Sequence, residues 1–105
     1  MGLQQKLDEM KRRATENIPK NTLAEMLQAT DDLRKSGILE RIIKPGSRLP
    51  PFRLKNQAGV EVDSNTLLAE KNLVISIFRG HWWPYCNAEL YALQEVLDQI
   101  EQTNT

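Results

Sequence analysis

The run LVISIF (residues 73 to 78) passes within a few residues into the helical pattern that begins near PYCNAEL, and this pairing limits the chain to α/β architectures. Five of its six positions are apolar and several are branched, the pattern of a central strand covered on both faces. The helix predicted after it spans Asn87 to Gln102 and places Leu90, Leu93, Val96, Leu97 and Ile100 on one face. Upstream, FRLKNQAGVEV (residues 52 to 62) alternates apolar and polar side chains on both sides of a turn at Gln57 to Gly59, which predicts a β-hairpin. Ser64 to Glu70 follows as a short helix or helical turn.

The first third of the chain differs in character. Leu3, Leu7, Met10, Ala14 and Ile18 recur at spacings of three and four and describe one apolar stripe on a helix that ends before Pro19. A second helix follows, with Thr22 and Glu25 at capping-box spacing, Leu23, Met26, Leu27, Thr30 and Leu33 in its stripe, and Ser36-Gly37 as its stop. From Ile38 the pattern turns to extended pieces. Pro45-Gly46 and Pro50-Pro51 exclude a regular helix there. The expected organisation is a helical leader over residues 1–37 and an α/β domain over residues 38–105.

With 105 residues, 40% of them apolar, the chain is sized for one small core. Fourteen basic and fourteen acidic residues cancel, so no long-range field draws it to nucleic acid or to an anionic membrane surface. Lys11-Arg12-Arg13 lies among Asp8, Glu9 and Glu16 and reads as the solvated side of a helix, without the aromatics of a nucleic-acid patch. No apolar run is long enough to span a bilayer, and no secretory signal is apparent. The single cysteine excludes an intrachain disulfide framework, and the cytoplasm is the expected compartment.

That cysteine, Cys86, falls where the strand gives way to the helix. Unpaired amides and the dipole of a helix N-terminus stabilise thiolate over thiol, and Arg79 and His81 bring positive charge or hydrogen-bond donors near it. Cys86 is therefore a candidate nucleophile; the alternative is a buried, inert small side chain. His81 has either a chemical or a structural role. Pro84 fits a helix entry because its missing N–H is not needed there. Trp82, Trp83 and Tyr85 would wall the sulfur, with the two tryptophans as wall and core or as a recognition platform. One cysteine and one histidine cannot supply the tetrad of a structural zinc site, and no cofactor is expected.

At these residues the sequence resembles a known family. LVISIFRGHWWPYCNAELYALQ is similar to the active-site segment of peroxiredoxin-like proteins of the alkyl hydroperoxide reductase and thiol-specific antioxidant (AhpC/TSA) group, which have a thioredoxin fold. That branch follows its strand with Arg-Gly, a Trp-Cys-Pro-Tyr-Cys run and an early Glu-Leu in the next helix. Arg79, Gly80, Trp82, Pro84, Tyr85, Cys86, Glu89 and Leu90 match it. PGSRLPPFRLKNQAGVEVDSNTLLA resembles the family's entry hairpin and short helix, so the likeness covers roughly residues 44 to 102. Trp83 departs from it, standing where the branch has its first cysteine and ordinary peroxiredoxins a threonine.

The resemblance implies the amino-terminal part of a thioredoxin-like fold, with β-hairpin, central strand and active-site helix preceded by two leader helices. It places Cys86 at the peroxidatic position, Arg79 as the cation that stabilises developing charge, Trp83 and Tyr85 as pocket walls, and Glu89 as a group holding nearby backbone or water. The implied activity is reduction of a hydroperoxide through one cysteine. An external thioredoxin- or glutathione-like thiol would regenerate it, because the chain holds no second cysteine. The competing expectation is a non-catalytic remnant of the fold that acts as an oligomerising or interaction module, with a homodimer as its partner state.

Overall fold

The computed structural model describes residues 2–105, and the chain divides into two compact units, Met1–Leu49 and Pro50–Thr105. The first unit is helical. Helix α1 (Leu3–Asn17) opens with the Gly2 N–H donating to Oε1 of Gln5 at 3.2 Å. It ends where Ile18, preceding Pro19, is pushed to extended backbone. Leu3, Leu7, Met10, Ala14 and Ile18 are half-buried while most other positions of the helix face solvent, so the stripe expected from spacing is the packed one.

The opposite face of α1 carries a charge ladder. Glu9 accepts from Arg12 at 2.8 Å and from Arg13 at 2.7 Å, and Arg12 also reaches Glu16 at 2.6 Å. Hydrogen bonds from Arg12 and then Arg13 lower the Glu9 carboxyl from 4.5 to about 2. A carboxylate whose folded value is depressed stabilises the helix above its ordinary value and loses that contribution as pH falls through the folded value. The helical circular-dichroism signal is therefore expected to decline modestly on acidification from pH 4.5 toward 2. Glu9→Gln should remove that part of the titration, and an unchanged acid profile in the variant would contradict the ladder's role.

Helix α2 (Lys20–Lys35) begins directly after Pro19, whose carbonyl accepts the Leu23 N–H at 2.9 Å. Thr22 and Glu25 thus lie inside the helix, and their capping-box spacing is not used as a cap. Of its stripe, Leu23 is half-buried, whereas Met26, Leu27 and Leu33 are exposed. The stop at Ser36-Gly37 forms as expected, with Gly37 left-handed at φ 80°. A single helical turn, α3 (Ile38–Arg41), follows where extended chain was expected.

The second unit opens with the hairpin. Strands β1 (Arg53–Lys55) and β2 (Glu61–Asp63) pair antiparallel with Arg53 opposite Asp63, Leu54 opposite Val62 and Lys55 opposite Glu61. Asn56 builds the turn by accepting the Ala58 and Val60 N–H groups on its side-chain oxygen, each at 3.0 Å, and Gly59 supplies the positive φ of 77°. Ser64 joins the hairpin to helix α4 (Ser64–Glu70). Its hydroxyl accepts the Phe52 N–H at 2.9 Å, its own N–H donates to the Phe52 carbonyl at 3.0 Å, and it is fully buried. Asp63 caps α4 by accepting the Asn65 N–H at 2.8 Å. That bond first, and Arg53 on the same carboxylate, hold the Asp63 carboxyl below its ordinary value.

The class is α/β, a mixture of helices and a two-stranded sheet. One expected component differs. Leu73 to Phe78 is not in a strand and makes no backbone–backbone hydrogen bond among the described residues. A strand exists through its ladder, and none of the described segments lies beside this one to complete it. Ile77 is accordingly 93% exposed, and no apolar side chain among the described residues is fully buried.

The C-terminal helix also differs from expectation. Helix α5 (Pro84–Glu95) starts three residues before Asn87, with Pro84 as its first residue. It breaks at Val96, whose N–H turns to the Leu93 carbonyl at 3.2 Å, and resumes as α6 (Leu97–Glu101). Leu90, Leu93, Leu97 and Ile100 face Leu73 and Val74 across an open cleft of about 360 Å³. The Asn72 N–H donates to the Asn104 carbonyl at 2.9 Å, tying the end of the chain to the segment after α4. Among the described residues, no helix is long and apolar enough to cross a membrane.

Candidate active site

Cys86 is the third residue of α5 and is half-buried. Three local features put it there. Pro84 starts the helix without an amide to satisfy, Trp83 precedes it in extended backbone, and the Asn87 N–H closes the first turn onto the Trp83 carbonyl at 3.1 Å. The Asn87 side-chain amide then donates to the His81 carbonyl at 2.5 Å, fastening the loop to the helix from its other side.

Ahead of the helix, the chain turns at Gly80, whose φ is 147° and whose carbonyl accepts the Trp83 N–H at 3.1 Å. The turn aims the Arg79 N–H at the sulfur. The donor lies 3.4 Å from Sγ of Cys86, within the range of an N–H···S hydrogen bond, and such a bond strengthens as negative charge builds on sulfur. Trp83 at the N-cap supplies no side-chain acceptor for the first-turn amides, and no acidic side chain occupies that turn. Both features suit an anion or a developing negative charge near Cys86.

The aromatic side chains form a continuous wall. Trp82 meets Trp83 edge-on with ring centroids 6.0 Å apart, and Trp83 lies 5.8 Å from Tyr85 at a tilt of 38°. The guanidinium of Arg79 sits over the Trp83 ring, 4.7 Å from its centroid, in a cation–π arrangement. It makes no hydrogen bond to the sulfur, so Arg79 reaches Cys86 through its backbone.

Arg79, Trp83, Tyr85 and Cys86 are thereby brought together. Trp82 is part of the same wall while being 65% exposed. His81 and Glu89 are exposed, and neither side chain makes a hydrogen bond or ion pair among the described residues. Two further residues hold the arrangement. Gly80 is marked in sequence only as a glycine in a loop, and Asn87 as a polar residue in the first helical turn; neither signal shows what the residue clasps. Among the described residues no three His, Cys, Asp or Glu side chains converge on a common point that would hold a metal ion.

A half-buried thiol at a helix entry, touched by a turn N–H, sits within a segment that matches a family model. Residues 45–105 match the model of the AhpC/TSA family. The chain belongs to the AhpC/TSA family. No curated protein and no solved structure matches it. For an AhpC/TSA member the function is peroxiredoxin-like, in the thioredoxin superfamily, and the partners the family implies are peroxides and thiol reductants in general. The match contains the hairpin, α4, the Leu73 to Phe78 segment and the whole thiol site.

Proposed function

We propose that the chain is a one-cysteine thiol peroxidase with Cys86 as the peroxidatic nucleophile. The observation that carries the reading is the Arg79 N–H set 3.4 Å from a half-buried sulfur in the first turn of α5. In the reaction, Cys86 thiolate attacks the terminal oxygen of a hydroperoxide. The O–O bond breaks as the S–O bond forms, the sulfur is oxidised to sulfenic acid, and the remaining oxygen leaves with a proton as water or alcohol.

Regeneration uses external thiol of the thioredoxin or glutathione type. One thiol attacks the sulfenic acid, releases water and leaves a mixed disulfide with Cys86. A second thiol resolves that disulfide and restores the Cys86 thiol. Trp82, Trp83 and Tyr85 limit the access of water and shape the approach of the hydroperoxide. Arg79 supplies the donor that stabilises charge on sulfur, while His81 and Glu89 are exposed polar groups of the same segment, open to bound water. The cytoplasm, as a reducing compartment, suits this chemistry.

A second reading draws on a different observation. The Leu73 to Phe78 segment, unpaired among the described residues, and its mostly exposed side chains suit a non-catalytic module that self-associates through an open backbone edge. One experiment separates the two. Folded protein receives one equivalent of hydrogen peroxide in the presence of dimedone, and mass spectrometry reads the peptide holding Cys86. The peroxidase reading expects a dimedone adduct on Cys86. Unmodified Cys86 in folded protein would reject it and leave the second reading.

A further inference from the structure

We propose that Trp83 is a positioning residue that holds the Arg79 guanidinium away from the Cys86 sulfur and so sets the local attraction of the thiol for anions. The proposal rests on Cys86 as the nucleophile and adds a device that controls its surroundings. Two bonds from one residue divide Arg79. Its backbone N–H donates to Sγ of Cys86 at 3.4 Å, while its guanidinium is drawn onto the indole of Trp83, 4.7 Å from the ring centroid.

The side chain starts beside the sulfur because its own backbone amide touches it. Without a competing partner, a thiolate is a natural place for a guanidinium to settle. Trp83 provides that competitor. Indole is the most favourable ring for a cation, and this one is half-buried and braced by two aromatic neighbours, Trp82 at 6.0 Å and Tyr85 at 5.8 Å. A braced ring offers a fixed face at low entropic cost. The sulfur is left with a neutral amide donor, and the full positive charge is parked on the wall.

Because Cys86 is the only thiol in the chain, its alkylation reports this charge directly. In each reaction the thiolate displaces iodide, forming an S–C bond as the C–I bond breaks. Iodoacetate is anionic and iodoacetamide neutral, so the ratio of their rates measures the potential at the sulfur and cancels changes in thiolate fraction.

Replacing Trp83 by alanine should release the guanidinium and raise the iodoacetate-to-iodoacetamide ratio by roughly two- to fivefold, the effect of a unit charge brought to about 4 Å in a solvated site. Added salt should shrink that rise. Trp83→Phe, which retains a ring face, should stay near the natural value. Adding Arg79→Gln to Trp83→Ala should cancel the rise, whereas Arg79→Gln alone should change the ratio by less than about twofold.

A Trp83→Ala ratio equal to that of the natural chain overturns the proposal. So does an Arg79→Gln single variant that lowers the ratio by more than twofold, since the guanidinium would then already act on the sulfur. That single variant decides the matter where circular dichroism shows Trp83→Ala unfolded. No peroxide enters the measurement, so a chain that fails to reduce peroxide while showing the ratio change would reject the peroxidase reading alone.

Discussion

Cys86→Ser is expected to abolish thiol-dependent consumption of hydrogen peroxide, with a loss on the order of 10³-fold or more in the second-order rate. Serine preserves the shape of the side chain and its place in the first turn of α5, so the comparison isolates the sulfur. A thiol supplies a measurable fraction of thiolate near neutrality, whereas a serine hydroxyl without an adjacent base supplies almost no alkoxide. No base is positioned to rescue it: the His81 imidazole and the Glu89 carboxylate make no hydrogen bond among the described residues. The assay is peroxide consumption with dithiothreitol as reductant, corrected for the uncatalysed rate. Equal rates for the serine variant and the natural chain would mean that the sulfur is not the reacting atom.

The interactions that decide this chemistry differ in how far the sequence discloses them. The stripe of α1 was legible because a period of three and four states which residues share a face, and all five of those residues are half-buried. The hairpin was legible because apolar and polar side chains alternate on both sides of a turn at Gln57 to Gly59, whereas the Asp63 cap of α4 and the Asn56 side chain that builds the turn show only in the geometry. Helix α5 starts three residues before the expected Asn87 because Pro84, which fits a helix entry, is itself its first residue. Its break was hidden because Leu93, Leu97 and Ile100 keep helical spacing across Val96, so periodicity continues where the hydrogen bonds do not.

Leu73 to Phe78 shows the deeper boundary. Its composition states a preference for burial on both faces, but strand formation is a property of a pair, and the partner is not encoded in the segment itself. The site follows the same rule. The position of the thiol at a helix entry came from local signals, while the seat of the Arg79 guanidinium came from a competition between ring and sulfur that only geometry resolves. An arginine near a cysteine in sequence suggests a cation on sulfur. Here the nearest contribution from Arg79 is its amide.

Gly80→Ala is expected to be the most damaging conservative change in the loop, because two independent constraints meet at that α-carbon. Its φ of 147° is one that L-residues rarely adopt, and a β-carbon there would overlap the Trp82 indole, with Cδ1 at 2.9 Å and Nε1 closer still. Backbone strain of this kind costs about 1–3 kcal/mol when it must be kept. The indole must also shift, and it is the edge partner of Trp83. The alternative is for the turn to relax, which withdraws the Gly80 carbonyl from the Trp83 N–H and re-aims the Arg79 N–H away from sulfur. Gly59→Ala separates these terms: Gly59 also has positive φ, at 77°, but nothing lies within 4 Å of the β-carbon it would gain. In denaturant melts Gly80→Ala should lose more stability than Gly59→Ala, and it alone should slow the reaction of Cys86 with iodoacetamide. Matching losses in the two variants, with Cys86 reacting at its natural rate in both, would show that the indole does not pin the turn and that the sulfur does not depend on the direction in which Gly80 sends the chain.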